Sequence, residues 1–434
     1  MDLFNPVIIS IIVMIVLCLL KFNVILSLLI SAIVAGLFAN LSLGQTMSLL
    51  IGGMGDNSET ALSYLLLGAL AVAVNKTGLS TIFARKMANI VRGKKIVFVL
   101  IIAFITCFSQ NLIPVHIAFI PILIPALIPL MNKLKVDRRA VACALTFGLK
   151  APYIAIPVGF GLVFHNIIRD QMIANNIEVT NAMITKVMWI PGVSMLLGLL
   201  IAVFFTYRKS REYEDISLEE FSSDDEDIKM TRDHWFALLA AIVAFVVQII
   251  TKSLPLGGLC AIIVLVLTKA IKFDEIDDLM NGGIKLMGFI AFVMLVAAGY
   301  GNVLRETGAV EDLVNSIVSI VGQSQFLGAL LMLLVGLIIT MGIGTSFGTI
   351  PILATIYSPL GLKLGFSPSA IIVLIGVAGA LGDAGSPASD STLGPTSGLN
   401  VDSQHDHIWD TCVPTFIHYN IPLLIFGMVS ALVL

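Results

Sequence analysis

The sequence predicts an all-α polytopic membrane protein of two inverted-topology repeats, each with about five spans, a re-entrant hairpin and a discontinuous helix. Three observations predict it. Of 434 residues, 58% are hydrophobic and 12% charged, where soluble domains carry about 25% charge. Mean hydropathy is +1.00, and apolar runs recur near the roughly 20-residue length that crosses a bilayer. The second observation is that the chain matches itself in one register, and the third is that its basic residues fall unevenly between the matching loops. The net charge of −3 says little beside their placement.

The internal match is carried by Gly and Pro pairs. Gly52-Gly53 answers Gly282-Gly283, Thr77-Gly78 answers Thr307-Gly308, and Ile120-Pro121-Ile122-Leu123 answers Ile350-Pro351-Ile352-Leu353. Pro129-Leu130 answers Pro359-Leu360, Lys133-Leu134 answers Lys363-Leu364, and Pro157 answers Pro387, always 230 positions on. Repeat one, 1–207, reads as spans near 5–20, 23–41 and 57–76, a short helix near 79–91, paired segments 96–111 and 115–131, an interrupted segment 138–170, and a last span 184–207. Repeat two, 233–434, reads as 235–250, 257–270, 285–304, 310–321, 326–341 with 345–360, an interrupted 368–400, and 408–434. The stretch Asn40–Glu59 is polar rather than amphipathic and suits a segment lying along the membrane interface, where it would contribute to a dimer contact.

Basic residues orient these elements. Arg85, Lys86, Arg92, Lys94 and Lys95, with Lys133, Lys135, Arg138 and Arg139, mark loops of repeat one. The equivalent loops of repeat two hold only Arg305 and Lys363, beside Glu306, Glu311 and Asp312. The positive-inside rule makes the first set cytoplasmic and the second external, so one structural unit faces both ways, the plan behind alternating access. The paired segments 96–131 then form a hairpin, either re-entrant or two full spans, and both termini lie outside. The linker 208–232, with Glu212, Glu214, Asp215, Glu219, Glu220 and Asp224-Asp225-Glu226-Asp227, reads as a solvated cytoplasmic tether. The N-terminus lacks a basic n-region and a small-residue cleavage site, so its first apolar run reads as a retained span. The five cysteines, 18, 107, 143, 260 and 412, stand singly in apolar surroundings and read as small core residues.

The polar stretch Gly376–Asn400 interrupts an apolar region with Asp383 and Asp390, the hydroxyls of Ser386, Ser389, Ser391 and Thr392, and the helix breakers Gly382, Gly385, Pro387, Gly394 and Pro395. A carboxylate at bilayer depth costs several kcal/mol unless it faces a cavity or a partner, and broken backbone there survives only where protein or water satisfies it. That combination suits a bound cation or proton. The repeat-related hairpin turns carry Ser109, Gln110, Asn111, Pro114 and His116 on one side and Thr340, Gly342, Gly344, Thr345 and Ser346 on the other. Hydroxyls, amides and freed carbonyls of this kind can replace a sodium ion's water shell, while the small residues also let helices pack closely. Lys150 is the one charge of the first interrupted span and stands opposite Ala380, with Tyr153 opposite Asp383. It would clamp a substrate carboxylate, occupy a cation's place, or pair with Asp383 or Asp390. His405-Asp406-His407 lacks a third ligand at matching spacing and reads as a polar turn. No P-loop, nucleophile elbow or HExxH motif occurs, which argues against an ATP-driven pump and an enzyme.

The run GDAGSPASDSTLGPT, Gly382–Thr396, resembles the Gly-Asp-x-x-Ser-Pro-x-Ser-Asp-x-Thr signature of the NhaC-type sodium/proton antiporters, and HDHIWDT with PTFIHYN, around 405–420, resembles the YuiF-like branch of that family. The resemblance covers nearly the whole chain. It implies the ion-transporter superfamily architecture, with re-entrant hairpins, discontinuous helices and often a dimer-forming scaffold. It also implies an ion or substrate role for Asp383, Ser386, Ser389 and Asp390; no motif of the family covers Lys150. Members of the branch are read as Na+/H+ antiporters or amino-acid, especially histidine, permeases. The expected function is secondary transport of a small amino acid, histidine first, coupled to Na+ or H+ across the inner (cytoplasmic) membrane. The alternative is Na+/H+ exchange with no organic substrate. Asp383 and Asp390 are the expected Na+ ligands, with Lys150, Gln110, Asn111, His116, Thr345 and Ser346 around them. No cofactor beyond the coupling ion, no nucleic-acid partner and a homodimer are expected.

Overall fold

The computed structural model describes residues 5–20, 22–55, 58–77, 95–111, 116–214, 230–251, 253–343, 345–387 and 389–434. Among them the only regular structure is helix. The first half contains α1 (Pro6–Leu19), α2 (Val24–Phe38), α3 (Leu43–Met54), α4 (Ser58–Lys76), α5 (Lys95–Asn111), α6 (His116–Lys133), α7 (Arg138–Ala155), α8 (Phe160–Ala174) and α9 (Asn181–Ile201). The second contains α10 (Arg232–Thr251), α11 (Leu254–Leu267), α12 (Ile276–Glu306), α13 (Ala309–Val321), α14 (Gln325–Ile343), α15 (Ser346–Lys363), α16 (Pro368–Ala380), α17 (Asp390–Leu399) and α18 (His407–Val433). The expected helix at 79–91, the basic residues 85–94 and the acidic run 215–227 lie outside the described residues.

The repeat governs where helices begin. Starts at 24 and 254, 138 and 368, and 160 and 390 each stand 230 apart. Among the described residues the halves differ in how the stretch before α4 is built. Within Asn40–Glu59, expected as a polar segment along the interface, α3 forms, capped by Ser42 and Gln45 in a reciprocal capping box. Its counterpart in the second half fuses into α12, which runs for 31 residues. Gly55, Asp56, Asn57 and Ser58 favour a break in the first half; three of the four corresponding residues, Lys285, Leu286 and Met287, are helix formers, with Gly288 the fourth.

Helices α4 and α12, equivalent in the two halves, pack along each other through small residues. A Cβ on Gly283 would stand 2.4 Å from the backbone nitrogen of Ala69, and one on Gly68 would stand 2.8 Å from the carbonyl of Gly283. Gly282 faces Val72 and Gly288 faces Leu65, so the pair runs antiparallel. Around this frame the remaining helices pack reciprocally. α8 lies on α15, and α6 lies on α17; α5 lies on α7, and α14 lies on α16. The broken spans also run antiparallel. Arg138, in the first turn of α7, donates to the carbonyl of Leu399 at the end of α17 (3.1 Å), while Lys150 meets Asp383 midway.

Asn181–Thr206, Met287–Glu306 and His407–Val433 are long and apolar enough to cross a bilayer, and α7 and α8, bent by 49° at the break between them, are so only when taken together, as a broken span or a re-entrant loop. Shorter apolar helices fill in between them, among them Lys95–Phe108 and Gln325–Met341 of the two hairpins.

Candidate functional site

Two helix breaks build the site. In the second half, α16 stops at Leu381, and Gly382 and Gly385 take φ of +80° and +104°, a backbone region that side chains disfavour. Neither position has room for a Cβ: one on Gly382 would stand 2.5 Å from the Leu337 carbonyl, and one on Gly385 would stand 2.6 Å from Cβ of Phe416. Asn420 satisfies the opened backbone, accepting from Gly382 N–H (2.8 Å) and donating to the Ala384 carbonyl (2.7 Å). Asn420 reaches the break from a π-helical stretch of α18, Phe416–Asn420, the kind of bulge that often marks function. In the first half, Pro152 and Pro157 precede Gly159, whose φ is +59° and which opens α8.

Asp383 sits at the meeting point, 1% exposed. Its Oδ2 pairs with Lys150 Nζ and accepts from Ser346 N–H (2.9 Å) and Ser346 Oγ (2.5 Å). Its Oδ1 accepts from Ser389 Oγ. Ser346 is the first residue of α15, so a helix N-terminus, which favours negative charge, points at the carboxylate. Tyr153, which the repeat sets opposite Asp383, hydrogen-bonds Ser346 Oγ at 2.8 Å and lies 3.5 Å from Oδ2. Ser391 donates to the Asp383 carbonyl (3.1 Å), and Thr146 from α7 donates to the Ser391 carbonyl (2.7 Å), tying the two breaks together.

Of the sequence-predicted residues, Asp383, Ser389, Ser346 and Lys150 come together here. Lys150 is paired with Asp383. Ser386 is buried at the loop, its hydroxyl donating to the Met341 carbonyl at 3.2 Å. Thr345 is the N-cap of α15 but makes no side-chain capping bond. Asp390 departs from the expectation of a buried carboxylate: it is exposed. It is the first residue of α17, where Ser389 supplies the cap, so its side chain is free to turn outward from the packed face. It makes no hydrogen bond among the described residues. The side chains of Gln110, Asn111 and His116 lie outside the described residues. Sequence reading missed Asn420, a polar residue in an apolar span, and Tyr64 of α4, which no motif marks.

The histidines of the HDH turn have partners within the chain. His405 Nε2 meets Thr411 Oγ1 (2.7 Å), and His407 bridges Thr396 Oγ1 (2.8 Å) and the Pro387 carbonyl (2.9 Å). Among the described residues no group of three or more His, Cys, Asp or Glu side chains could hold a metal ion. At the end of the molecule marked by the start of α7, Arg138 and Asp402 form a buried bidentate pair (2.6 and 2.5 Å). Tyr213 at the start of the linker lies 4.1 Å from the Arg138 guanidinium.

Known proteins agree with this architecture. The sequence profile of the Na+/H+ antiporter family matches residues 144–428, and a second Na+-H+ antiporter family profile matches residues 5–91. A Bacillus subtilis protein named as a candidate amino acid transporter, YuiF, is 50% identical over 99% of this chain and 100% of its own length. An uncharacterised membrane protein of Vibrio parahaemolyticus is 49% identical over 99% of this chain and 100% of its own length. Among solved structures, the Alcanivorax borkumensis YdaH transporter, described as having an unusual topology, superposes with a TM-score of 0.62 at 15% identity, covering 89% of this chain and 87% of that one. Neisseria gonorrhoeae MtrF, described within a class of antimetabolite efflux pumps, superposes with a TM-score of 0.61 at 15% identity, covering 89% of this chain and 83% of that one. With a profile spanning most of its length and full-length relatives at about half identity, the chain belongs to the Na+/H+ antiporter family.

Proposed function

We propose that this membrane-embedded secondary transporter moves a small amino acid, histidine the first candidate, coupled to Na+ or H+ by alternating access. One observation carries the reading: a buried Lys150–Asp383 pair, wrapped by serine hydroxyls where two antiparallel helix breaks meet, with the carboxylate of Asp390 one residue on from Ser389, which bonds Asp383. These three charges sum to −1, one cation short of neutral. A zwitterionic amino acid adds no net charge, so one coupling cation entering with it would complete the balance. Asp383, Ser386, Ser389 and Ser391 offer the hard oxygen ligands that Na+ takes. The naming of the Bacillus relative as a candidate amino acid transporter supports an organic substrate. On this reading 1–207 and 233–434 are the two transport repeats, the 208–232 linker is cytoplasmic, the protein sits in the inner membrane as a homodimer, and Gln110, Asn111, His116, Thr345 and Ser346 line the path.

A second reading, Na+/H+ exchange without an organic substrate, draws on the same pair. Lys150 already engages Asp383, as an exchanger that trades Na+ for a proton requires. Thermal stability of the purified protein across amino acids, with and without Na+, separates the two. Stabilisation by an amino acid that grows with Na+ or with acid supports the permease; a response to Na+ alone supports the exchanger.

A further inference from the structure

Lys150 and Asp383 engage each other, so they do not present a free donor and acceptor to a ligand. Asp390 and Tyr64 carry polar groups that remain free at the site. Asp390 is exposed and makes no hydrogen bond among the described residues. Tyr64 is 3% exposed, and its hydroxyl also makes no hydrogen bond among them. Tyr64 belongs to α4, which otherwise packs on α11 and α12, away from the breaks. Its ring lies 5.0 Å from that of Phe160, the first residue of α8, and 5.7 Å from that of Phe347, which follows Ser346 in α15. Tyr153 packs on Phe347 at 5.0 Å. The ring therefore spans the starts of α8 and α15, and Asp383 ties the two groups to one place: Ser346, next to Phe347, bonds its Oδ2, and Ser389, next to Asp390, bonds its Oδ1.

We propose that Tyr64 and Asp390 are the substrate-recognising pair: Asp390 accepts from the ammonium of a bound amino acid, and the Tyr64 hydroxyl donates to its carboxylate. Lys150 then stays with Asp383 at the ion site. The assignment rests on the amino-acid reading above. It also gives the α4–α12 frame a direct contact with cargo held by the broken spans, against an aromatic wall of Phe160, Phe347 and Tyr153.

The test uses full-length protein in proteoliposomes. Uptake of radiolabelled amino acids, histidine first in the panel, is compared with competition by the decarboxylated amine and the deaminated acid of each, histamine and imidazolepropionate in the first case. Tyr64→Phe should raise the amino acid's KM by roughly tenfold or more, as loss of a bond to a charged group implies, and leave inhibition by the decarboxylated amine within about twofold. Asp390→Asn should show the converse, sparing the deaminated acid. The Tyr64→Phe protein should match wild type in thermal stability without substrate, because its hydroxyl has no partner to lose. If Tyr64→Phe shifts the amino acid and its amine equally, or neither, while Asp383→Asn abolishes uptake, the assignment fails and the transporter reading stands. If wild type takes up no amino acid, both fail together.

Discussion

The Lys150–Asp383 pair shows why a buried ion pair is a commitment as well as a contact. Neither side chain can be removed alone without leaving a buried charge without its counter-ion, a change that costs roughly 3–5 kcal/mol in comparable pairs. Lys150→Met should therefore lower the unfolding temperature in detergent sharply, and Lys150→Met with Asp383→Leu should recover most of the loss while leaving transport dead. Equal stability of the single and double variants would show that the pair does not hold the breaks together. Sequence alone marked both residues, because a charge inside an apolar run has few innocent explanations. It missed the exposure of Asp390, because the direction of α17 after the break depends on the φ angles of Gly382 and Gly385. It gave no sign of Tyr64, since an aromatic in an apolar span is ordinary until its neighbours are known.

Among the elements, the second break is fixed by glycine geometry and by one amide. Gly382→Ala and Gly385→Ala force a side chain into a left-handed backbone and against Leu337 or Phe416. Both should misfold or lose much of their thermal stability. Gly52→Ala, in an exposed part of α3 where an added Cβ meets nothing within 4 Å, should be neutral or stabilising by up to about 1 kcal/mol. Asn420→Ala strands a buried N–H and a buried carbonyl and should cost roughly 1–3 kcal/mol, measured by denaturation in detergent; an unshifted midpoint would mean that the loop is satisfied some other way. The hairpin arms, the broken spans and their 230-residue register were legible from Gly and Pro pairs. α3 was not recognised because its polar composition masked a capping box, and the fusion that makes α12 goes with the helix formers Lys285, Leu286 and Met287 where the first half has Gly55, Asp56 and Asn57.

At the scale of the whole molecule, the halves are joined at the centre through Asp383 and at one end through Arg138 and Asp402. Burial opposes ionisation of Asp402, but the hydrogen bonds and charge of Arg138 outweigh it and hold the carboxyl below its usual range. Its contribution to stability is present above the ordinary carboxylate pKa and is lost as pH falls through the lower folded value. Nearby, burial is the largest influence on His405 and pushes its imidazole down to about 4. The unfolded chain, with His near 6.5, then binds the proton more readily than the folded one. Stability should fall as pH drops from about 6.5 towards 4, and His405→Gln should flatten that part of the thermal profile; an unchanged slope would place the acid sensitivity elsewhere. The central claim is that the buried carboxylate between the breaks is the transport site. Substrate uptake driven by an imposed Na+ or pH gradient, compared between wild type and Asp383→Asn in proteoliposomes with matched protein content, tests it most directly. The account predicts that coupled uptake disappears in the variant, whereas uptake at the wild-type rate, still responding to the gradient, would contradict it.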